Sequence, residues 1–243
     1  MQAWSITNAG CVRTQNQDAC FIEQLDEKCT LCVVCDGMGG AKSGNVASAL
    51  AVEVFVQEIR ATWKNGMSRD DVDQMLHNAV KLVNFAVYDQ AAQFVDFAGM
   101  GTTLVAALVD GKSATVVNVG DSRAYHVNSE GIRIVTQDHS IVQMMVERGE
   151  LTREEAKFYP GKNLITRAIG TDPSVECDLF HLTLGSEDCI LLCTDGLSNL
   201  LDEQEILFEI VYGEQREECC KRLLEIALNR GAPDNVTSVL LRV

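Results

Sequence analysis

Residues 33–48 read VVCDGMGGAKSGNVAS, in which an apolar run ends on an aspartate, three glycines follow within four residues, and a helix-like pattern begins. A tight turn needs one glycine, so this stretch has more backbone freedom than a turn requires. A glycine after Asp36 lets its own carbonyl approach a cation closely and lets the chain bend before a helix starts. The stretch therefore predicts a strand, a loop carrying a functional carboxylate, and a helix.

Four further aspartates lie at the margins of apolar runs that read as strands: Asp18, Asp121, Asp195 and Asp234. Adjacent strands in a sheet bring several such residues to one edge. Clustered carboxylates are costly unless a cation neutralises them, and an oxygen-only cluster suits Mg²⁺ or Mn²⁺. None of the four histidines is beside these aspartates in the sequence, which argues against a His-rich zinc site. The alternative, that an Asp-Gly pair is only a turn, is accepted for Asp110-Gly111.

The totals describe an ordinary globular chain with an acidic surface. It has 243 residues, is 47% hydrophobic, and carries a formal net charge of −15. Such a surface is a poor partner for nucleic acid. The apolar runs are too short to span a bilayer, and the N-terminus lacks the basic and apolar regions of a signal peptide. We expect one domain over residues 1–243, a cytoplasmic location, no membrane association and a monomer.

Ten cysteines include the run Cys29, Cys32 and Cys35, which is similar to part of an iron–sulfur motif. The next cysteine expected in that motif is missing, because glycines occupy its place. In a strand, residues three apart also face opposite sides of the sheet and cannot share a metal. The run is therefore interpreted as reduced core thiols.

The order of periodicities predicts an α/β (α+β) protein with mostly antiparallel sheets. Strands and hairpin signals occupy the middle of the chain, at Asp110-Gly111 and Glu130-Gly131. Two further strands are expected in residues 1–36 and one at the end of the chain. Helices are expected over about 44–60, from a cap at Ser68, from about Ser140, after Thr152 and over about 215–229.

Eight motifs in order carry a family resemblance across nearly the whole chain. They are RTQNQDA (13–19), VVCDGMGG (33–40), GMGTTLVAA (99–107), NVGDSRAY (118–125), TQDHS (136–140), NLITRAIG (163–170), LLCTDGLSN (191–199) and APDNVT (232–237). The set resembles the metal-dependent, type 2C-like (PPM) serine/threonine phosphatases, especially their compact bacterial members. The resemblance implies a four-layer sandwich of two antiparallel β-sheets flanked by α-helices, with a flap-like segment at about 140–175.

The resemblance also implies a centre with two divalent ions, Mn²⁺ or Mg²⁺, and a third, weaker one. Asp36 would bridge the two ions, and Asp195 and Asp234 would complete the shell of one. The other would be served by Asp18 and the Gly37 carbonyl. Asp121 matches the residue that helps to hold the third ion, and Arg13 matches the phosphate-binding arginine. A surface salt bridge is the alternative role for Arg13.

Three positions depart from the family pattern. Residue 17 is Gln where many relatives have Glu, and residue 38 is Met where animal members often have a proton-donating His. The flap loop reads YPGKN where relatives often show HP-x-RN. These departures concern one metal shell, the leaving-group proton and the choice of substrate.

The activity implied is hydrolysis of phosphoserine and phosphothreonine in proteins by a metal-activated water, opposing a bacterial kinase. Two alternatives remain: a catalytically dead binding module, which would lack metal aspartates, and a dimetal phosphodiesterase, which would use several His ligands. A P-loop is rejected, because no glycine directly precedes Lys42.

Overall fold

The computed structural model describes residues 1–39, 43–156, 158–213 and 215–243. Gly40 of the glycine-rich motif and Lys42 of the rejected P-loop pattern lie outside the described residues. No helix in the described ranges is long and apolar enough to cross a membrane.

The described strands form two sheets in which all neighbours are antiparallel. They are β1 (Gln2–Asn8), β2 (Asp18–Gln24), β3 (Cys29–Met38), β4 (Gly101–Thr102), β5 (Leu104–Asp110), β6 (Ser113–Val119), β7 (Arg123–Asn128), β8 (Gly131–Ile134), β9 (Asp178–Thr183), β10 (Cys189–Cys193) and β11 (Val236–Arg242). One sheet has the order β1-β11-β10-β7-β8. The other has the order β2-β3-β5-β6-β9, with β4 added beside β3.

The described α-helices connect or follow these strands. They are α1 (Gly44–Thr62), α2 (Arg69–Gln93), α3 (Ile141–Glu147), α4 (Arg153–Ala156), α5 (Asp195–Ser198), α6 (Glu203–Tyr212) and α7 (Cys219–Asn229). Ser68 caps α2, as the sequence predicts, and does so in a reciprocal capping box with Asp71. Thr152 and Glu155 make the same arrangement at α4, where the sequence predicts it.

Three apolar clusters separate four layers. Helices α1 and α2 pack on β3 and β5, the two sheets pack on each other, and α6 and α7 pack on β10 and β11. Strand β3 serves two clusters: Leu31, Val33 and Cys35 face the helices, while Cys32 and Val34 face the other sheet. This is the four-layer sandwich that the resemblance implies.

The alternation along β3 also confirms the interpretation of its cysteines. Cys29 and Cys35 lie in one cluster and Cys32 in another, and all three are free thiols. Burial raises the pKa of Cys29 to about 12 and also raises those of Cys32 and Cys35. The three side chains therefore cannot share a metal.

Two expectations about local structure were wrong. Residues 1–36 hold three strands rather than two, because β1 pairs with the distant β11 instead of with its neighbour in sequence. The helix expected over 215–229 begins at Cys219 after a 3₁₀ turn at Arg216–Glu218, and α6 precedes it. Long-range pairing decides β1, which a local pattern does not contain.

Candidate active site

A cavity of about 300 Å³ opens at one end of the sandwich. Antiparallel neighbours place the end of one strand beside the start of the next, so Asp18 of β2 lies opposite Asp36 of β3. The cavity is lined by Arg13, Gln17, Asp36, Gly37, Met38, Gly39, Thr103, Asp121, Asn163, Ile165, Asp195 and Asp234. Six of the seven residues named from the sequence therefore line one cavity, and Asp18 is buried behind it.

Two threonines hold the backbone of Asp36. Its N–H donates to Thr103 Oγ1 at 2.9 Å, and its carbonyl accepts from Thr102 Oγ1 at 2.8 Å and from Thr103 N at 2.9 Å. Thr103 Oγ1 also lies 2.7 Å from Ser122 Oγ, in the loop that carries Asp121. The GTT motif thus joins two of the acidic loops through buried hydroxyls.

Gly37 is confined by the backbone around it. Its N–H donates to the Gln17 carbonyl at 3.1 Å. A Cβ at this position would lie 2.0 Å from the Gly44 carbonyl oxygen and 2.5 Å from that of Gln17. Because no side chain fits, the first glycine after Asp36 is required by the close approach of the α1 N-terminus.

Asp18 has one satisfied oxygen and one orphaned oxygen. Its Oδ2 accepts from Thr194 Oγ1 at 2.9 Å and from Thr237 Oγ1 at 2.7 Å. Its Oδ1 is buried and has no hydrogen-bond partner among the described residues. A buried carboxylate oxygen without a partner is costly, which makes it a ready ligand for a cation.

Asp195 and Asp234 come from neighbouring positions at the same sheet edge. Asn199 Nδ2 donates to Asp195 Oδ2 at 3.0 Å. Asp234 Oδ1 accepts from the backbone N–H of Asn235 at 2.9 Å, and its Oδ2 accepts from Arg13 Nη2 at 2.8 Å. The Arg13 side chain is 53% exposed, so this ion pair is at the cavity mouth.

The carboxylates repel one another. Burial raises the pKa of Asp36 well above its ordinary value, and repulsion from Asp18 and Asp195 raises it further. Burial also raises the pKa of Asp18 to about 7, although hydrogen bonds from Thr237 and Thr194 oppose the increase. A bound cation would relieve this repulsion.

The other side of the cavity shows the same pattern. Burial and then repulsion from Asp195 raise the pKa of Asp121 to about 7. Burial and then repulsion from Asp234 raise the pKa of Asp195. Among the residues that the structure describes, no three Asp, Glu, His or Cys side chains form a ligand set for a single ion by themselves. The carboxylates instead surround a shared space.

The flap-like segment reaches the cavity with two residues. Asn163 and Ile165 line it, and two parts of the segment pair with each other, Ile141 N donating to the Leu164 carbonyl at 3.0 Å. Met38 and Gln17, two of the departures from the family pattern, also line the cavity. A larger cavity of about 380 Å³ between β2 and α1 is mainly apolar and contains no cluster of carboxylates.

The comparison with protein families agrees with this geometry. The family model described as "Protein phosphatase 2C" matches residues 12–226, which include Arg13 and four of the five aspartates. The chain belongs to the protein phosphatase 2C family. It is a serine/threonine protein phosphatase of the PPM type, and members of this family generally depend on Mn²⁺ or Mg²⁺.

Bacterial relatives of this phosphatase support the assignment over its whole length. It is 33% identical over 244 residues to the serine/threonine phosphatase stp of Listeria innocua, covering 99% of this chain and 95% of that one. The crystal structure of serine/threonine phosphatase Stp1 from Staphylococcus aureus matches with a TM-score of 0.94 and 38% identity, over 100% of this chain and 95% of that one. The PstP/Ppp structure from Mycobacterium tuberculosis matches at 0.90 and 33%, covering 100% and 98%.

The sequence reasoning missed the polar residues that support the aspartates of this phosphatase. Asn235 is an example: its Oδ1 accepts from Gln17 N at 2.8 Å, and its Nδ2 donates to the carbonyls of Ala9 at 3.0 Å and Gln15 at 2.9 Å. It fastens the loop that carries Arg13 to the start of β11. The available signal was adjacency, since Thr194 and Asn235 each flank an aspartate in a quoted motif.

Proposed function

We propose that the acidic cavity is a two-metal centre for hydrolysis of phosphoserine and phosphothreonine in proteins. In this proposal Asp36 would be a ligand common to two divalent ions, and Asp195 and Asp234 would serve one of them. Asp18 and the Gly37 carbonyl would serve the other. Asp121 would help to hold a third, weaker ion.

The convergence of the carboxylates carries the proposal. Asp36 and Asp195 are half-buried beside one cavity, and repulsion from Asp195 raises the pKa of both Asp36 and Asp121. Bringing these carboxylates together without a cation destabilises the folded state. Their ligand atoms are all oxygen, which fits Mn²⁺ or Mg²⁺. The orphaned Oδ1 of Asp18 supports the same conclusion.

Water has to complete the coordination shells. No three described side chains form a ligand set for a single ion, so each ion would take carboxylate oxygens and several waters, and one of them would also take the Gly37 carbonyl. Mg²⁺ and Mn²⁺ sites that retain waters are usual where phosphate is the substrate.

The chain itself binds and orients the phosphoryl group. When bound, the divalent ions supply positive charge for the phosphate dianion and make water acidic enough to attack phosphorus at neutral pH. Arg13 is the cation at the cavity mouth, and its planar guanidinium can donate two parallel hydrogen bonds to phosphoryl oxygens. Its ion pair with Asp234 holds it beside the cavity, so phosphate binding requires only a short movement of an exposed side chain.

The leaving alkoxide needs a proton, and the described cavity lining contains no histidine. Met38 cannot supply a proton. The proposal therefore takes the leaving-group proton from solvent, which reaches the open cavity.

Substrate choice would depend on the flap-like segment, residues 140–175, because Asn163 and Ile165 line the cavity there. The single catalytic domain, the opposing kinase, the monomeric state and the cytoplasmic location remain predictions from the sequence.

The test compares Asp36→Asn with Asp110→Asn. Both positions hold the aspartate of an Asp-Gly pair near the C-terminal end of a strand, but Asp110 lies in the β5–β6 hairpin. Hydrolysis of p-nitrophenyl phosphate and of a phosphothreonine peptide is measured with Mn²⁺ and with chelator. Removing a charge that holds two ions is expected to reduce kcat/KM by at least about a thousandfold in Asp36→Asn.

The control variant Asp110→Asn should retain wild-type activity. Folded wild-type protein without activity in saturating Mn²⁺ would contradict the enzyme and favour a binding module. Faster cleavage of bis(p-nitrophenyl) phosphate than of the monoester would favour the phosphodiesterase.

A further inference from the structure

Hydrogen bonds to the N–H and to the carbonyl of Gly120 hold the loop that carries Asp121. Gly120 has φ +107°, and a Cβ there would lie 2.6 Å from Thr103 Cγ2, so only glycine fits. Its carbonyl accepts from His139 N at 3.0 Å and from Asn118 Nδ2 at 3.2 Å. Its N–H donates to His139 Nδ1 at 3.1 Å. One histidine therefore makes two hydrogen bonds to the residue directly before Asp121.

The other ring nitrogen of His139 faces the flap-like segment. Because Nδ1 accepts from Gly120, the neutral ring carries its proton on Nε2, which donates to Asp178 Oδ2 at 3.1 Å. Asp178 Oδ1 accepts from Arg167 Nη1 at 3.0 Å, and that nitrogen also lies 3.2 Å from His139 Nε2. Arg167 belongs to the last part of the flap-like segment, and the His139 carbonyl accepts from Thr166 N at 2.7 Å.

This ring is buried and has no direct contact with the cavity. His139 is 6% exposed, and it is absent from the residues that line the cavity. With both nitrogens committed to protein partners, the imidazole is not available as a metal ligand or as a proton donor to substrate. Its contacts instead join two segments that each contribute a side chain to the cavity, the Asp121 loop and the flap-like segment.

We propose that His139 is a positioning residue with two separable roles. Nδ1 holds the Gly120 amide and thereby fixes the Asp121 carboxylate at the cavity. Nε2, through Asp178 and Arg167, fixes the end of the flap-like segment. The proposal rests on the proposed function. The first role supports binding of a cation at Asp121, and the second supports binding of the protein substrate at the flap-like segment.

Two substitutions separate the roles, because each reproduces one ring nitrogen. His139→Asn places an amide oxygen near the position of Nδ1 and removes the contact with Asp178. His139→Gln places an amide nitrogen near the position of Nε2 and removes the acceptor for Gly120. His126→Gln is the matched control: His126 is also buried and bonded to an aspartate, with Nε2 2.8 Å from Asp188 Oδ2, but it lies in β7, away from the cavity.

Two measurements are made on chelator-treated full-length protein: the exchange rate of the Gly120 amide hydrogen by NMR and the affinity for Mn²⁺ by titration calorimetry. KM and kcat for p-nitrophenyl phosphate and a phosphothreonine peptide are measured after Mn²⁺ is added back. Positioning residues behind a metal site typically change affinity or activity by about 10- to 100-fold when replaced.

His139→Gln is expected to speed Gly120 exchange and to weaken the lowest-affinity Mn²⁺ step, each by roughly tenfold or more, with the peptide KM little changed. His139→Asn is expected to leave the Gly120 exchange rate and the Mn²⁺ affinity unchanged. It should raise KM for the peptide by roughly tenfold, but not KM for p-nitrophenyl phosphate. Arg167→Gln, at a side chain that is 39% exposed, should repeat the His139→Asn result and is available if a His139 variant does not fold. His126→Gln should change stability only.

Equal effects of the two His139 variants on Mn²⁺ affinity, or no effect of either, would overturn the proposal, since the ring would then only fill space. Wild-type protein without Mn²⁺-dependent activity would contradict the proposed function. In that case Gly120 exchange and Mn²⁺ affinity in the same variants would still decide whether His139 positions the Asp121 loop.

Discussion

A chain of hydroxyl groups fixes the orientation of Asp18. Asn16 Nδ2 donates to Thr7 Oγ1 at 2.7 Å, and Thr7 Oγ1 lies 2.7 Å from Thr237 Oγ1. Because the Thr237 proton goes to Asp18 Oδ2, Thr7 must be the donor in the middle link. Every proton therefore points toward one oxygen of Asp18, which leaves Oδ1 for a cation.

Thr237→Val tests this orientation at the scale of one residue. Valine keeps the shape and removes the donor, so the Mn²⁺ concentration for half-maximal activity should rise by roughly tenfold. The measurement is activity against Mn²⁺ concentration, together with Mn²⁺ affinity by calorimetry. Thr237→Ser retains a hydroxyl and should behave as wild type. An unchanged Mn²⁺ requirement in Thr237→Val would show that Asp18 needs no such support.

At the scale of elements, α2 holds the end of the flap-like segment. Asn84 is 1% exposed; its Oδ1 accepts from Gly170 N at 2.8 Å and its Nδ2 donates to the Asp172 carbonyl at 3.0 Å. The neighbouring Ile169 exchanges two backbone hydrogen bonds with Thr102, whose hydroxyl donates to the Asp36 carbonyl. Helix α2 is thus connected to the cavity through backbone groups.

Asn84→Ala should lower the free energy of unfolding by about 2 kcal/mol, because it leaves the buried Gly170 N–H and the part-buried Asp172 carbonyl without their partner. Urea denaturation of chelator-treated protein measures this. Asn78→Ala, at an exposed position on the same helix, is the control and should change stability by less than about 0.5 kcal/mol. Equal stability of the two variants would mean that the Asn84 hydrogen bonds to Gly170 and Asp172 contribute nothing to the free energy of unfolding.

At the scale of the whole molecule, the carboxylate cluster makes stability depend on pH in an unusual direction. Asp18 and Asp121 have folded-state pKa values of about 7, against an ordinary value of 3.8. The unfolded chain releases these protons near pH 4, whereas the folded chain keeps them until near pH 7. The unfolded state therefore binds fewer protons across this window, and stability falls as pH rises through it.

We expect chelator-treated protein to melt at a higher temperature at pH 5.5 than at pH 8, and saturating Mn²⁺ to remove most of the difference. The window lies above the range in which carboxylates with lowered pKa values, such as that of Glu205 at about 2, lose their stabilising contribution. Thermal denaturation at several pH values measures this. Asp18→Asn removes one titrating group and should show a smaller difference, and a wild-type melting temperature that rises with pH would contradict the argument.

The local patterns predicted α1 and α2, the hairpins and the capped helix α4, because hydrophobic period, capping residues and turn residues act over a few positions. They missed α6 and misplaced β1. Strand β1 owes its position to pairing with β11, whose residues lie more than 220 positions away. Contacts of that kind leave no mark on a short window of sequence.

By itself, the sequence determined which residue types the site contains: aspartates at strand ends, a glycine where the chain allows no side chain, and Arg13 near Asp18. Motif order was enough to identify the fold and the family. Only the tertiary structure decided which oxygen of Asp18 is satisfied, that Arg13 pairs with Asp234, and that His139 lies between Gly120 and Asp178. Hydrogen bonds are set by distances of a few tenths of an ångström between atoms far apart in the chain, and those distances exist only after the layers have packed.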